Sequence, residues 1–236
     1  MLDNLPGVHA APNIQSGPEL YEIENLAADP DGLIEQAMWS IAPWADRVVL
    51  DLGAGTGFHL PRFAERAGHV FGVEPHAPSR LRAIRRIADL GLEQVSVLTG
   101  SAEYVPLRDH SVDVCHARFA YFFPPDCGPG LAELARVLRP GGAALIIDND
   151  LRNGTIANWL RPLPEEHVGN ADVVEAFWAN HGFACQRIAS QWRFASRADL
   201  EAVVRLEFGE ALSAQLLAEH SGTSVEYHYC LYYRQF

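Results

Sequence analysis

The chain has no lysine: all 18 of its basic residues are arginine. A P-loop needs a lysine followed by serine or threonine after its glycines, so that class of phosphate site is excluded. Lysine is also removed as a catalytic base. Cysteine is scarce, at positions 115, 127, 185 and 230, with no C-x-x-C pair and no histidine ladder beside them. Neither a zinc site nor a disulfide framework is expected, and no metal is assigned. Cys115 falls in an apolar strand pattern and reads as a buried free thiol. Positive charge is in short supply: 18 Arg against 30 Asp and Glu leave a formal net charge of −12. A nucleic-acid partner needs a basic face, so none is expected. No apolar run approaches the length of a membrane span. The opening residues Leu2-Asp3-Asn4 lack the basic and apolar regions of a targeting leader. A cytoplasmic protein is expected, with its oligomeric state left open.

What is present reads as an ordinary globular chain: 236 residues, 48% hydrophobic and 20% charged, enough for a sizeable core. Its most informative stretch is Val48-Val49-Leu50-Asp51-Leu52-Gly53-Ala54-Gly55-Thr56-Gly57. A β-branched strand runs into a glycine-rich turn, and the turn runs into an amphipathic helix. Such glycines let the backbone approach a ligand, and the following helix offers unpaired N–H groups. Glu74 closes the next apolar run about twenty residues on, where the carboxylate of a nucleotide-binding βαβ unit meets ribose hydroxyls. An adenosine-type ligand is expected.

Strands and helices alternate from there. Strands are predicted at 48–52, 70–74, 95–99, 112–117 and 143–148, and helices at 58–67, 79–90 and 130–138. The 143–148 run is apolar throughout, as parallel strands buried on both faces are. Residues 1 to about 18 are rich in Pro, Gly, Asn and Ala and read as an arm or disordered leader. Helical spacing follows from Pro18 to Trp44, interrupted by the turn Asp29-Pro30-Asp31-Gly32. In the last third a helix is expected at 171–181, a strand at 183–192, a helical segment at 197–220 broken near Gly209, and a final strand at 227–233. Ser196 and Asp199 suggest a cap for that segment. The expected fold is α/β, a doubly wound and mostly parallel seven-stranded Rossmann-like sheet, with an N-terminal helical arm and a helical insertion before the last strand. The arm and lid helices take 1–44 and a cofactor domain takes 45–236, in one domain overall.

A dinucleotide fingerprint requires G-x-G-x-x-G, and Phe58 stands where its third glycine would be. A nicotinamide oxidoreductase is thereby disfavoured. The pattern D-L-G-A-G-T-G resembles motif I of class I S-adenosylmethionine-dependent methyltransferases. The resemblance continues, in order, through Val73-Glu74-Pro75, Gly100-Ser101-Ala102-Glu103, Asp113-Val114-Cys115-His116-Ala117-Arg118-Phe119 and Leu138-Arg139-Pro140-Gly141-Gly142. Five such motifs span roughly residues 46 to 150. Small-molecule methyltransferases of the ubiquinone and menaquinone pathways look most similar, as superfamily neighbours.

That resemblance implies S-adenosyl-L-methionine as cofactor, S-adenosyl-L-homocysteine as product, and a small-molecule methyl acceptor. It implies that Gly53, Gly55 and Gly57 pass under the methionine part. Asp51 either accepts from its ammonium or orders the glycine loop, and Glu74 chelates the ribose. Ser101 and Ala102 bound the adenine. Ser101 stands where the family often has an aspartate, and Glu103 is the substitute for the bond to the adenine amino group. Arg118 falls where the family places backbone contacts to the methionine segment, and Tyr21 matches a lid position. A sulfonium methyl is already electrophilic, so transfer needs alignment and exclusion of water, with a base only where the acceptor keeps its proton. The candidate bases are His59, His116 and Tyr121. For His59 a bond to the cofactor carboxylate, and for His116 a satisfied buried side chain, are the plainer readings. Tyr21, Glu24, Met38, the Tyr121-Phe122-Phe123 loop, residues 149–153 and the helical insertion before the last strand are expected to line the acceptor pocket, with Arg152 either meeting an anion or lying solvated. The expected activity is methyl transfer to an O, N or C nucleophile. A cofactor-binding regulatory or scaffold protein that transfers nothing is the alternative.

Overall fold

Each β-branched run of the first 150 residues becomes a strand because it alternates between two apolar clusters. In the computed structural model, which describes residues 5, 8, 11–120, 127–164 and 168–236, β1 is Val48–Leu52, β2 His69–Val73, β3 Val95–Leu98, β4 Val112–Arg118 and β5 Leu138–Asn153. Val49, Val70, Val114, Leu145 and Ile147 enter one cluster. Leu50, Leu52, Val73, Cys115 and Ile146 enter the other. Side chains alternate across a strand, so the two clusters are the two faces of one sheet. Helices cover both. On the first face lie residues of α3 (Leu33–Ile41), α4 (Leu60–Ala64), α5 (Ala77–Asp89), α7 (Gly154–Leu160) and α9 (Arg197–Glu219). On the second lie residues of α6 (Gly128–Val137) and α8 (Ala171–Asn180).

The seven strands run in the order β3-β2-β1-β4-β5-β7-β6, where β6 is Ala184–Arg193 and β7 is Ser224–Gln235. The pairs among β1 to β5 are parallel, and β7 inserts antiparallel to both β5 and β6. The chain order reverses between β1 and β4. Ligands of open α/β sheets bind at the carboxyl ends of the strands at such a switch point. The glycine loop leaves β1 there, and Arg118 ends β4 beside it.

Some boundaries differ from the sequence reading. The stretch read as a leader contains a short helix, α1 (Pro12–Ser16), followed at once by α2 (Pro18–Ala27). The helix after the glycine loop shrinks to Leu60–Ala64, because the loop's own turn runs on through His59, the residue before that helix. β5 absorbs the Arg139-Pro140-Gly141-Gly142 segment, which read as a helix stop. It continues as strand because Phe236 at the chain's end donates from its amide to Gly142 O at 2.9 Å. Helix α7 had no counterpart in the sequence reading. Gly209 does interrupt α9, with φ 69° and ψ 165°. Among the described residues no helix is long and apolar enough to cross a membrane.

The N-terminal arm is tied to the far edge of the sheet. Ala28 bridges Trp192 of β6, and the Asp29 amide donates to Gln191 O at 3.1 Å. The Asp29 carboxylate accepts from the amides of Leu33 (3.1 Å) and Ile34 (2.8 Å) at the start of α3, and from Ser190 Oγ (2.7 Å). One side chain thus caps a helix and pins it to a strand. Asp29→Ala is expected to lower stability by about 1–2 kcal/mol, and Asp29→Asn, which keeps an acceptor, by less. Urea denaturation of the three proteins measures the difference.

Candidate functional site

β1 ends in a turn whose shape is set by two residues. Gly53 (φ 76°) and Gly55 (φ 55°) take the left-handed conformation that side chains resist. A Cβ on Gly53 would stand 2.2 Å from that of Ala120, and one on Gly55 would stand 2.8 Å from Ile14 Cδ1. The amides of Gly53 and Ala54 both donate to Val73 O, at 2.9 and 3.0 Å, locking the loop to the end of β2. Glu74 completes the lock. Its Oε2 accepts from the Gly55 amide at 2.8 Å and its Oε1 from the His76 amide at 2.7 Å. Burial pushes the Glu74 carboxyl above the usual carboxylate range, with the two amides and Arg80 opposing the shift. Each carboxylate oxygen keeps a second lone pair, the number a pair of ribose hydroxyls would use.

Behind the loop lies a buried pair. Asp51 of β1 and His116 of β4 are register partners, and His116 Nδ1 lies 2.7 Å from Asp51 Oδ1 with both side chains almost fully covered. Asp51 Oδ2 is buried without a partner. The His59 ring stands 5.5 Å from that of His116, centre to centre. Burial first, then Arg118, His116 and Arg86, hold the His59 imidazole well below its ordinary value, so it is neutral at physiological pH.

The arm closes over this floor. Tyr21, Asn25, Ile14, Gly53, Gly55 and His59 line a cleft of about 40 Å³ that opens to solvent, with Thr56, Phe58 and Arg118 also on its wall. Glu22 of α2 latches it by accepting from Thr56 Oγ1 in the glycine loop and from Arg86 of α5 at 2.6 Å. Glu19 adds an exposed ion pair to Arg82 at 2.7 Å. Further in, the Glu24 and Glu207 carboxyls meet, and Asn13 Nδ2 donates to Glu207 Oε1 at 2.8 Å. Burial and mutual repulsion hold Glu24 well above the carboxylate range despite Arg118, and burial raises Glu207 as well.

Five residues singled out in the sequence therefore meet in one cleft: Tyr21, Gly53, Gly55, His59 and Arg118. Asp51, Glu74 and His116 lie buried about its floor. Gly57 lies elsewhere, packed under α5, where a Cβ would sit 2.9 Å from that of Ala83. Ser101, Ala102 and Glu103 form the turn after β3. There Ser101 and Tyr104 exchange backbone hydrogen bonds and Glu103 Oε2 is buried without a partner. Tyr121 and the Tyr121-Phe122-Phe123 loop fall outside the described residues. Arg152 is not a free cation: Asp172 and Glu175 hold it. The sequence reading missed Ile14, Asn25, Thr56 and Phe58, and it missed Glu207, which α9 brings to the arm from far along the chain. Among the described residues no cluster of ligating side chains could hold a metal ion.

These features fit an S-adenosyl group: a loop that presents bare backbone at Gly53 and Gly55, a buried carboxylate at the end of β2, and an unpartnered carboxylate oxygen after β3. The comparisons with known proteins agree. Residues 49–142 match the family model for a methyltransferase domain. That stretch holds the glycine loop, Glu74, the Ser101–Glu103 turn and Arg118. An uncharacterized methyltransferase of Mycobacterium tuberculosis H37Rv is 41% identical over 127 residues, which cover 53% of this chain and 48% of the relative. The chain thus spans about half the length of that relative. Among solved structures, the YcgJ protein from Bacillus subtilis has a TM-score of 0.62 at 22% identity, covering 86% of this chain and 97% of that one. A SAM-dependent methyltransferase from Aquifex aeolicus has a TM-score of 0.59 at 21% identity, covering 91% and 97%. The fold is the seven-stranded, mostly parallel Rossmann-like sheet of these neighbours.

The Glu24–Glu207 pair makes stability depend on pH. A raised carboxyl pKa in the folded protein means that the native state holds a proton the unfolded chain releases. The stabilisation is complete below the ordinary value of 4.5 and is lost as pH rises through the raised values. Stability is therefore expected to fall from the carboxylate range towards neutral pH, and Glu24→Gln is expected to flatten that fall. Denaturation midpoints across this range measure it.

Proposed function

We propose that this chain is an S-adenosylmethionine-dependent methyltransferase that moves a methyl group to an O, N or C nucleophile of a small molecule. The observation that carries the reading is the Glu74 carboxylate gripping the Gly55 amide at the sheet's switch point. The cofactor supplies an electrophilic sulfonium methyl, and the chain's residues hold and shield it. Glu74 takes the ribose hydroxyls, and Glu103 Oε2, with Ser101 and Ala102 beside it, takes the adenine amino group. Gly53 and Gly55 let the backbone lie against the methionine part. Asp51 keeps one oxygen free for the ammonium while His116 holds the other in place. Tyr21 and Ile14, brought over the loop by the Glu22 latch, exclude water from the reacting atoms. Where the acceptor carries a proton, neutral His59 on the cleft wall is the group that takes it. Phenols of the quinone-pathway kind and small amines are the two acceptor classes to set against each other.

Calorimetric titration with S-adenosylmethionine, S-adenosylhomocysteine and NAD tests the cofactor. Both sulfur ligands are expected to bind. Glu74→Ala is expected to weaken them by roughly tenfold or more, since it removes hydrogen bonds to a charged group. Binding of NAD and of neither sulfur ligand refutes the assignment. Release of S-adenosylhomocysteine across an acceptor library separates an enzyme from a protein that only binds the cofactor.

A further inference from the structure

Past the glycine loop the site ends among groups that cofactor binding leaves unused. Glu24 Oε2 is buried with no hydrogen-bond partner, although its carboxyl meets that of Glu207. Tyr229 of β7 is wholly buried, and its hydroxyl meets Arg118, which leaves the hydroxyl proton free to be donated. Arg118 stands beside both. Its guanidinium carbon lies 5.4 Å from the centre of the Tyr229 ring and 5.6 Å from that of Phe119. Among the described residues no carboxylate comes within ion-pair distance of it. Tyr227 stacks on Tyr229 at 4.3 Å and donates its own hydroxyl to Asn149, and the Asp29 carboxylate is spent on capping α3. The unspent groups are therefore one cation, one carboxyl oxygen and one hydroxyl, drawn from α2, β4 and β7.

Buried polar atoms without partners are uncommon in folded proteins, and a spare carboxyl oxygen beside a guanidinium without an ion pair points to a ligand between them. The charge on the wall selects its kind. Two carboxyls in contact share a proton and carry one negative charge, which Arg118 balances. An apolar acceptor would leave the Glu24 oxygen without a donor and the Tyr229 hydroxyl proton without an acceptor. A singly charged acceptor would satisfy one pole and strand the other. A ligand with both charges meets both poles.

We infer that the acceptor is a small amino-carboxylate zwitterion, its carboxylate held by Arg118 and the Tyr229 hydroxyl and its ammonium by Glu24 beside Glu207. The inference rests on the methyltransferase reading above. The amine passes one proton to neutral His59. Its lone pair then forms the N–C bond as the S–C bond breaks onto sulfur, leaving an N-methylated amino acid and S-adenosylhomocysteine. Phe119, held at φ 46°, sets its ring 6.1 Å from that of Tyr229 beside these groups.

The test is a turnover assay with amino acids from glycine to γ-aminobutyrate, and with acetate, methylamine and a phenol as controls. S-adenosylhomocysteine affinity is measured beside it. At least one amino acid is expected to be methylated, with neither single-charge half accepted. Tyr229→Phe and Glu24→Gln are each expected to raise KM by about tenfold, with S-adenosylhomocysteine affinity changed by less than about twofold. Both variants keep the size of the side chain, so a merely structural role predicts an unchanged KM. If S-adenosylhomocysteine binds but no amino acid is bound or methylated, the inference falls and the methyltransferase reading stands. If the two variants weaken S-adenosylhomocysteine as much as the amino acid, these groups serve the methionine end of the cofactor and the inference is overturned. If wild-type protein binds no S-adenosylhomocysteine, the reading fails and takes the inference with it.

Discussion

The bond between the Glu74 carboxylate and the Gly55 amide is the constraint on which the site depends. A glycine-rich loop is cheap to bend and therefore costly to hold in one shape. Here the shape comes from the end of β2. Val73 O accepts from two loop amides and Glu74 accepts from a third. The side chain that would read a ribose is thus also the side chain that forms the surface under the ligand. Because the carboxylate is buried, its bonds to the loop are made at low effective dielectric and are stronger than the same bonds in water. The geometry needed for binding is consequently present before any ligand arrives, which lowers the entropic cost of association.

A second layer comes from the arm. α1 and α2 touch the floor only at a few places: Ile14 against Gly55, and Glu22 between Thr56 and Arg86. The Glu22 contacts are polar and partly exposed, whereas Ala28 and Asp29 fasten the same segment to β6 by backbone pairing and a partly buried cap. The arm is thus anchored to the sheet edge at one end and to α9 through Asn13 and Glu24 along its length, with the Glu22 ion pair adding a modest contribution over the loop.

The parallel half of the fold was legible because its signals are local. The 48–52 and 143–148 runs, the glycine turn and Glu74 each declare themselves within a few residues, and all fell in place. The Gly209 break and the Ser196 cap were readable for the same reason. What escaped the sequence reading depends on distant partners. Arg139-Pro140-Gly141-Gly142 looks like a stop and is held as strand by Phe236 at the other end of the chain. Arg152 looks like a free loop cation and is claimed by a helix some twenty residues on. Glu207 shows no motif at all, and its meeting with Glu24 follows from the docking of α9 on α2. Gly57 shares a motif with Gly53 and Gly55, yet its space goes to helix packing, a distinction that spacing alone does not carry.

The Asn13–Glu207 hydrogen bond joins residues 194 apart in the sequence, and Ser190–Asp29 joins residues 161 apart. During synthesis the arm is made before either of these partners. The glycine loop and its neighbouring strands can collapse early from near-neighbour contacts, but the roof of the chamber must wait for β6 and α9. Until then α2 presents Glu24 without Glu207 beside it, free to ionise in water. Closure of this roof buries an acidic proton.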